Sequence, residues 1–159
     1  MEKAKDPLIA IEQIKLMEAH VALGGAEGSS QYNLALTAYK RLLSDDANRL
    51  TIVADFDVMY GIDNPKFRLE AKFLAQYNRK NDVDEGLPWE SFSDGMALAH
   101  VIPYLREFIS NITGRMPLPP LYIRALNTYR LVEEFHKREK ACSEEKVTNE
   151  KQQLLPNGD

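Results

Sequence analysis

The residues that could carry chemistry in this sequence are three histidines, one cysteine, a few loop glycines and a pair of aspartates. His20, His100 and His136 are far apart and follow no spacing typical of metal ligands, so we interpret them as surface or hydrogen-bonded core residues. Cys142 lies in a charged segment without a fixed partner, which disfavours a role as a nucleophile. None of these four residues predicts an active site.

Gly24, Gly25 and Gly28 lie between two predicted strands. A phosphate-binding glycine loop opens a helix, because the free N–H groups of the helix terminus hold the phosphate. Here no helix follows, and no Lys-Ser or Lys-Thr pair does either. We interpret these glycines as a connecting loop.

Asp55 and Asp57 occupy alternate positions of one predicted strand, about 7 Å apart by the rise of a strand. Two carboxylates at that spacing could do acid-base work or bind a metal. Catalysis, however, requires a concave and partly dry site, whereas these residues lie on the face opposite the core. We favour a solvated sheet face over a catalytic pair.

Alternation of apolar and polar residues predicts the strands that position these side chains. The clearest pattern is a hairpin of two long strands, joined by the turn Gly61-Ile62-Asp63-Asn64-Pro65, whose inner face reads Leu50, Ile52, Ala54, Phe56, Val58, Phe67, Leu69 and Phe73. Together with two earlier strands, the predicted ranges are 11–23, 33–43, 50–60 and 67–77.

The apolar period then changes to three and four residues, which predicts a helix over 93–113. Ser91 or Ser93 would cap its start and Gly114 its end. Pro103 lies inside this range, so we expect either one kinked helix or two shorter helices. A second, short helix is predicted to open at Asn127.

Length and composition predict a single domain. The chain has 159 residues, of which 44% are hydrophobic and 28% charged, and a chain of this length can bury roughly 70% of its unfolded surface. The net charge of −4 disfavours nucleic acid as a partner. With one cysteine, no apolar start of signal-peptide length and no membrane-spanning stretch, we expect a cytoplasmic protein without membrane insertion.

A proline-rich segment, 115–125, holds the most unusual apolar residues, Met116, Leu118, Leu121 and Tyr122. It cannot form a regular strand, so these side chains either cap the core or line a groove. A groove would bind extended polypeptide, with each buried apolar side chain contributing on the order of 1.5 to 3 kcal/mol before ordering costs.

The stretch 102–123, IPYLREFISNITGRMPLPPLYI, resembles the helix-and-loop signature of the SecB family of bacterial protein-export chaperones. The resemblance extends over about residues 11 to 136, from the four strands to the second helix. It implies an α+β fold, in which a four-stranded antiparallel sheet carries two helices on one face. Residues 1–136 would form that domain and 137–159 a charged, mobile tail.

The resemblance also implies a function without catalysis, nucleotide, metal or other cofactor. SecB-like proteins are homotetramers, built as dimers of dimers, which hold unfolded polypeptides or preproteins in apolar grooves for delivery to the Sec translocase. We predict that helix 93–113 and strand one form the interfaces. The predicted client-binding residues are Met116, Leu118, Leu121, Tyr122, Leu131 and Phe135.

Acidic residues on the outer face of the first and fourth strands dock the motor protein SecA in this family. Glu18 and Glu70 match such positions, and Asp55 and Asp57 extend the predicted docking patch. Ala22 stands where a further acid is expected, and Arg68 and Lys72 flank Glu70. We therefore expect a diluted patch and weak or absent SecA docking.

Three alternatives remain open at this point. SecB-like chaperones also occur beside toxin-antitoxin pairs, where they protect an antitoxin. A domain that binds a small molecule between helix 93–113 and the sheet is a rival from another class. A purely structural assembly subunit would form the oligomer but would not suppress aggregation.

Overall fold

Four β-strands precede two α-helices along the chain, in the order that the sequence predicts. The computed structural model describes residues 9–25, 30–45, 47–61, 64–79, 89–117 and 119–153, and for 144–153 it describes the backbone alone. The elements are β1 (Ile9–Leu23), β2 (Tyr32–Leu43), β3 (Arg49–Tyr60), β4 (Phe67–Arg79), a 3-10 turn at Trp89–Ser91, α1 (Asp94–Thr113) and α2 (Thr128–Gln153).

The strands form one antiparallel sheet in the order β1-β4-β3-β2. β3 and β4 make the predicted hairpin, in which Tyr60 pairs with Phe67 beside the turn. That turn begins at Gly61, whose φ of 87° lies in the left-handed region that only glycine adopts without strain. β1 and β2 are consequently the two edges of the sheet.

One face of the sheet is apolar and carries both helices. All eight inward side chains predicted for β3 and β4 are buried, and they form one core with residues of α1 and α2. Because burial contributes about 25 cal/mol per Å² of apolar surface, this layer is the main source of stability. α1 packs over β4 and α2 over β2, which confirms the predicted α+β architecture.

α1 is one continuous helix. The Ser93 hydroxyl accepts a hydrogen bond from the Met96 amide at 3.2 Å, and Gly114 closes the helix with its N–H bonded to the Ser110 carbonyl, both as predicted. Pro103 lies inside the helix on its exposed side. The alternative of two shorter helices is therefore wrong.

α2 opens at Asn127 as predicted, since its side-chain oxygen accepts from the Arg130 amide at 3.1 Å. The helix does not end near residue 136, however, but continues to Gln153. Ion pairs one turn apart support it, including Lys137 with Glu133 at 2.7 Å. The weak apolar pattern led to the shorter prediction, because a solvated helix needs no apolar face. Mobility of 137–159 stays a prediction.

Both edge strands are interrupted by β-bulges, where one extra residue shifts the pairing. β1 shifts between Ile11 and Gln13 and again between Leu16 and Glu18. β2 shifts between Leu36 and Ala38. Beyond each bulge the side chains change faces relative to simple alternation, which explains why the period of strand one is ambiguous in the sequence.

Candidate binding surfaces

The inner side of β1 carries apolar side chains that no described helix covers. Val21 and Leu23 pair with the core residues Leu69 and Phe67, yet Leu23 is 58% exposed. We call the exposed apolar residues of this strand the β1 strip: Ile11, Leu16, Val21 and Leu23, which pair with inward residues of β4, and Met17 at the second bulge. Exposed apolar side chains grouped along one strand are typical of an association surface.

β1 is also an edge of the sheet, paired with β4 alone in the described part of the chain. An edge strand presents unpaired N–H and C=O groups, on which another strand can add. The β1 strip and this edge together offer apolar contacts and backbone hydrogen bonds to an approaching polypeptide. The arrangement is suited to association.

The proline-rich segment divides between core and surface. Leu121 is 5% exposed, and its amide donates at 2.9 Å to the hydroxyl of the fully buried Thr113. Met116 is half-buried against the core, whereas Tyr122 is 71% exposed. Leu118 lies outside the described residues. Of the predicted groove residues here, Leu121 caps the core and Tyr122 is accessible.

Leu131 and Phe135, the two predicted client-binding residues on α2, are buried in the core. Phe135 also borders an open cleft of about 730 Å³ between α2 and β2, which we call the α2–β2 cleft. Leu36 lies fully buried beneath the cleft, and Arg138 and Lys140 contribute its basic side. The volume falls within the range of about 300–1,000 Å³ typical of ligand sites.

Arg138 joins the two walls of this cleft. Its Nη2 atom donates at 2.8 Å to the backbone carbonyl of Leu36, at the β2 bulge. A bulge on an edge strand leaves backbone groups without ladder partners, so the guanidinium satisfies one of them. Sequence reasoning missed this residue because neither the bulge nor the length of α2 is visible in the apolar pattern.

The four predicted docking acids, Glu18, Asp55, Asp57 and Glu70, do converge on the outer face of the sheet. They surround a depression of about 310 Å³ that Arg68 and Lys72 also line. We call these six residues the charged face. Their convergence follows from register, since Glu18 pairs with Lys72 in β4, and Asp55 and Asp57 pair with Lys72 and Glu70.

Ion pairs occupy much of the charged face. The Arg68 guanidinium donates twice to the Asp57 carboxylate, both at 3.1 Å, and lies 3.1 Å from Glu70. Lys72 Nζ lies 3.4 Å from Glu18 and 3.8 Å from Asp55. Asp55 Oδ1 is buried without a hydrogen-bond partner among the described residues. A basic partner would therefore have to compete with resident cations.

The pKa shifts of Glu18 and Arg68 agree with these ion pairs. A hydrogen bond from His20, at 2.7 Å, and then Lys72 lower the pKa of the Glu18 carboxyl. Hydrogen bonding and the charge of Asp57 raise the pKa of the Arg68 guanidinium. His20 was not predicted here, although its position two residues after Glu18 places both on one face of a strand.

A second polar cluster, also missed, joins the start of α1 to β2. The Asp94 carboxylate accepts from the Tyr39 hydroxyl and from the Arg41 guanidinium, both at 2.9 Å. Arg41 also donates to the carbonyls of Trp89 and Phe92. Burial, followed by the charge of Asp94, raises the pKa of Tyr39. These partners are satisfied internally, so the cluster fixes the helix start.

Cys142 is exposed and borders the α2–β2 cleft. A side chain at Gly24 would collide with the Pro65 carbonyl, so this position requires glycine where two loops approach closely. Gly28 lies outside the described residues. In the described part of the chain no three His, Cys, Asp or Glu side chains converge as metal ligands. Neither described helix has the length and apolar character of a membrane span.

Comparison with known proteins identifies similar solved structures. No protein-family profile matches the chain, and no curated protein matches it either. The solved SecB-like chaperone Rv1957 of Mycobacterium tuberculosis, in complex with a ChAD peptide from the Rv1956 HigA1 antitoxin, is similar with a TM-score of 0.60 and 16% identity, over 74% of this chain and 90% of that one.

A protein of unknown function from Streptococcus agalactiae also matches, with a TM-score of 0.45 and 15% identity, over 74% of this chain and 97% of that chain. At these identities the comparison concerns the fold. The sheet order, the two helices on one face and the match to Rv1957 together show that this chain has a SecB-like α+β fold.

Proposed function

We propose that this chain is a cytoplasmic holdase, a chaperone that binds non-native polypeptide without nucleotide, metal or catalysis. The observation that carries the proposal is exposed apolar surface beside a complete core, on a SecB-like fold. The β1 strip is one such surface. Tyr104 on α1 and Tyr122 after it, 48% and 71% exposed, provide others.

Assembly would use part of this surface. We propose a homotetramer whose interfaces involve the β1 strip and the outward side of α1, where Met96 and Tyr104 are exposed. Pairing of edge strands and burial of apolar side chains would then act together. The opposite edge of the sheet, with the α2–β2 cleft, would stay accessible to clients.

Clients would be extended segments that make many modest apolar contacts. Leu121, Leu131 and Phe135 already pack in the core, so the proposal assigns most contacts to the rim of the α2–β2 cleft and to Tyr122. Binding of this kind is sequence-tolerant, because each side chain contributes little and ordering costs offset part of the gain.

The cellular setting has two candidates. One is general protein export. The other is protection of an antitoxin, which is favoured by the structure of the neighbour Rv1957 in complex with an antitoxin peptide. The ion pairs of the charged face support weak docking of a basic partner such as SecA. Delivery to the Sec translocase is therefore the less favoured of the two settings.

The rival small-molecule function would need convergent polar groups between α1 and the sheet. That space is filled by apolar side chains such as Ile52, Phe56 and Leu105, each no more than 1% exposed. The packing supports a binding protein for polypeptides over a ligand-binding or enzymatic domain.

Suppression of aggregation tests the proposal. A denatured enzyme diluted into buffer without nucleotide should scatter less light when this protein is present in stoichiometric amount. Serum albumin at the same mass concentration is the control for crowding. Unchanged scattering would contradict the holdase function and would favour a purely structural assembly subunit.

A further inference from the structure

The α2–β2 cleft is basic on an acidic protein. The chain has a net charge of −4. Among the described residues that line this cleft, however, two are basic, Arg138 and Lys140, and one is acidic, Glu139. His136, also in the lining, has its Nδ1 atom 3.8 Å from the Glu139 carboxylate. The accessible rim of the cleft therefore carries positive charge, above the buried side chains of Leu36 and Phe135.

The two basic residues retain their capacity to bind an anion. Arg138 donates to the backbone carbonyls of Leu36 at 2.8 Å and Glu134 at 3.3 Å, and neither acceptor carries a formal charge. Among the described residues, no carboxylate forms an ion pair with Arg138 or with the exposed Lys140. The backbone bonds hold the Arg138 guanidinium in place at the mouth of the cleft.

We propose that this cleft selects client segments that carry aspartate or glutamate beside their apolar residues. The carboxylates would pair with Arg138 and Lys140 at the rim of the cleft, because Leu36 and Phe135 are buried beneath it. A guanidinium already held by other bonds loses little entropy on pairing with a carboxylate. This inference rests on the proposed function and names its preferred substrate class.

The test compares three fluorescent peptides with one shared apolar sequence and with acidic, neutral or basic flanks. Anisotropy at low salt should give a dissociation constant for the acidic peptide that is at least about fivefold lower than for the basic one. The difference should shrink as salt screens the charges. Lys140→Glu should abolish the preference.

Lys137→Glu is the matched control, because it makes the same change of charge on the same helix outside the cleft, at a residue paired with Glu133. It should keep the preference. Equal binding of the three peptides, tighter binding of the basic peptide, or equal effects of the two variants would overturn the inference while the holdase stands. If none of the peptides binds and aggregation is not suppressed, the proposed function fails as well.

Discussion

His100 lies among aromatic rings near the start of α1, stacked on Phe92 with 6.2 Å between ring centres and tilted against Tyr77 at 5.8 Å. Its Nδ1 atom is buried with no hydrogen-bond partner among the described residues. Burial disfavours the charged imidazolium and lowers the pKa of His100. The fold therefore favours the neutral form of this ring.

The pH dependence of stability follows from that shift. The unfolded state, with a histidine pKa of about 6.5, binds the proton more readily than the folded state, so stability is complete above that pH and falls as the pH drops through the lower folded-state pKa. Urea unfolding of the wild type should lose more stability between pH 7.5 and 5.5 than His100→Gln. A His100→Gln protein that keeps the wild-type slope would exclude His100 as the source of this pH dependence.

Leu121 and Tyr122 are neighbours with opposite environments, which separates stability from binding. Leu121→Ala should lower the free energy of unfolding by about 2–5 kcal/mol, since it leaves a cavity in the core. Tyr122→Ala should change this free energy by no more than about 0.5 kcal/mol. It should weaken the binding of an unfolded client by about fivefold. Denaturant unfolding and client titration measure both; a Tyr122→Ala protein with unchanged affinity would exclude Tyr122 from the client site.

At the residue scale, the burial of a side chain could be predicted from the sequence only where apolar and polar residues alternate regularly. Asp55 and Asp57 were placed correctly on the outer face, because β3 alternates without interruption. Leu121 could not be assigned, because a proline-rich segment has no period from which burial can be predicted. Arg138 was missed for a different reason, since its partner is a backbone carbonyl that the sequence pattern does not report.

At the scale of elements, the four strands and α1 were predicted to within two residues at each end. β3 and β4 were found because one side of each faces the core and the other is more polar. Bulges in β1 and β2 were not predicted, since an extra residue resembles an irregular pattern. The length of α2 was underestimated because charged pairs that continue along the helix, such as Glu133 with Lys137, leave no apolar signal.

The charged face gives a prediction at this scale, for a basic docking partner such as SecA. Arg68→Glu removes the cation that neutralises Asp57 and Glu70, so association with the partner should become about tenfold faster at low salt. Stability should change little, because these ion pairs are exposed. Surface plasmon resonance at two salt concentrations measures the rates. The double variant Glu18→Lys with Glu70→Lys should slow association. Tight, salt-insensitive binding that none of the three substitutions alters would contradict the prediction.

The whole molecule has more apolar surface than one sheet and two helices cover, and we expect oligomerisation to cover part of it. Four chains of 18.1 kDa give about 72 kDa, which multi-angle light scattering should measure at micromolar concentration. Leu16→Glu with Val21→Glu should lower that mass, because both side chains belong to the β1 strip. Leu42→Glu, at a leucine on the other edge strand that is even more exposed than Leu16 and Val21, should leave it unchanged. A wild-type monomer would exclude the tetramer.

The central claim, that folded protein holds non-native polypeptide at the α2–β2 cleft, is tested most directly by hydrogen exchange. The protein is mixed with a reduced, alkylated polypeptide that cannot refold, and amide exchange is followed with and without it. The account predicts slower exchange in β2, at residues 119–127 and in the first half of α2, with β3 unchanged. Exchange that is the same at every peptide under saturating polypeptide would contradict it.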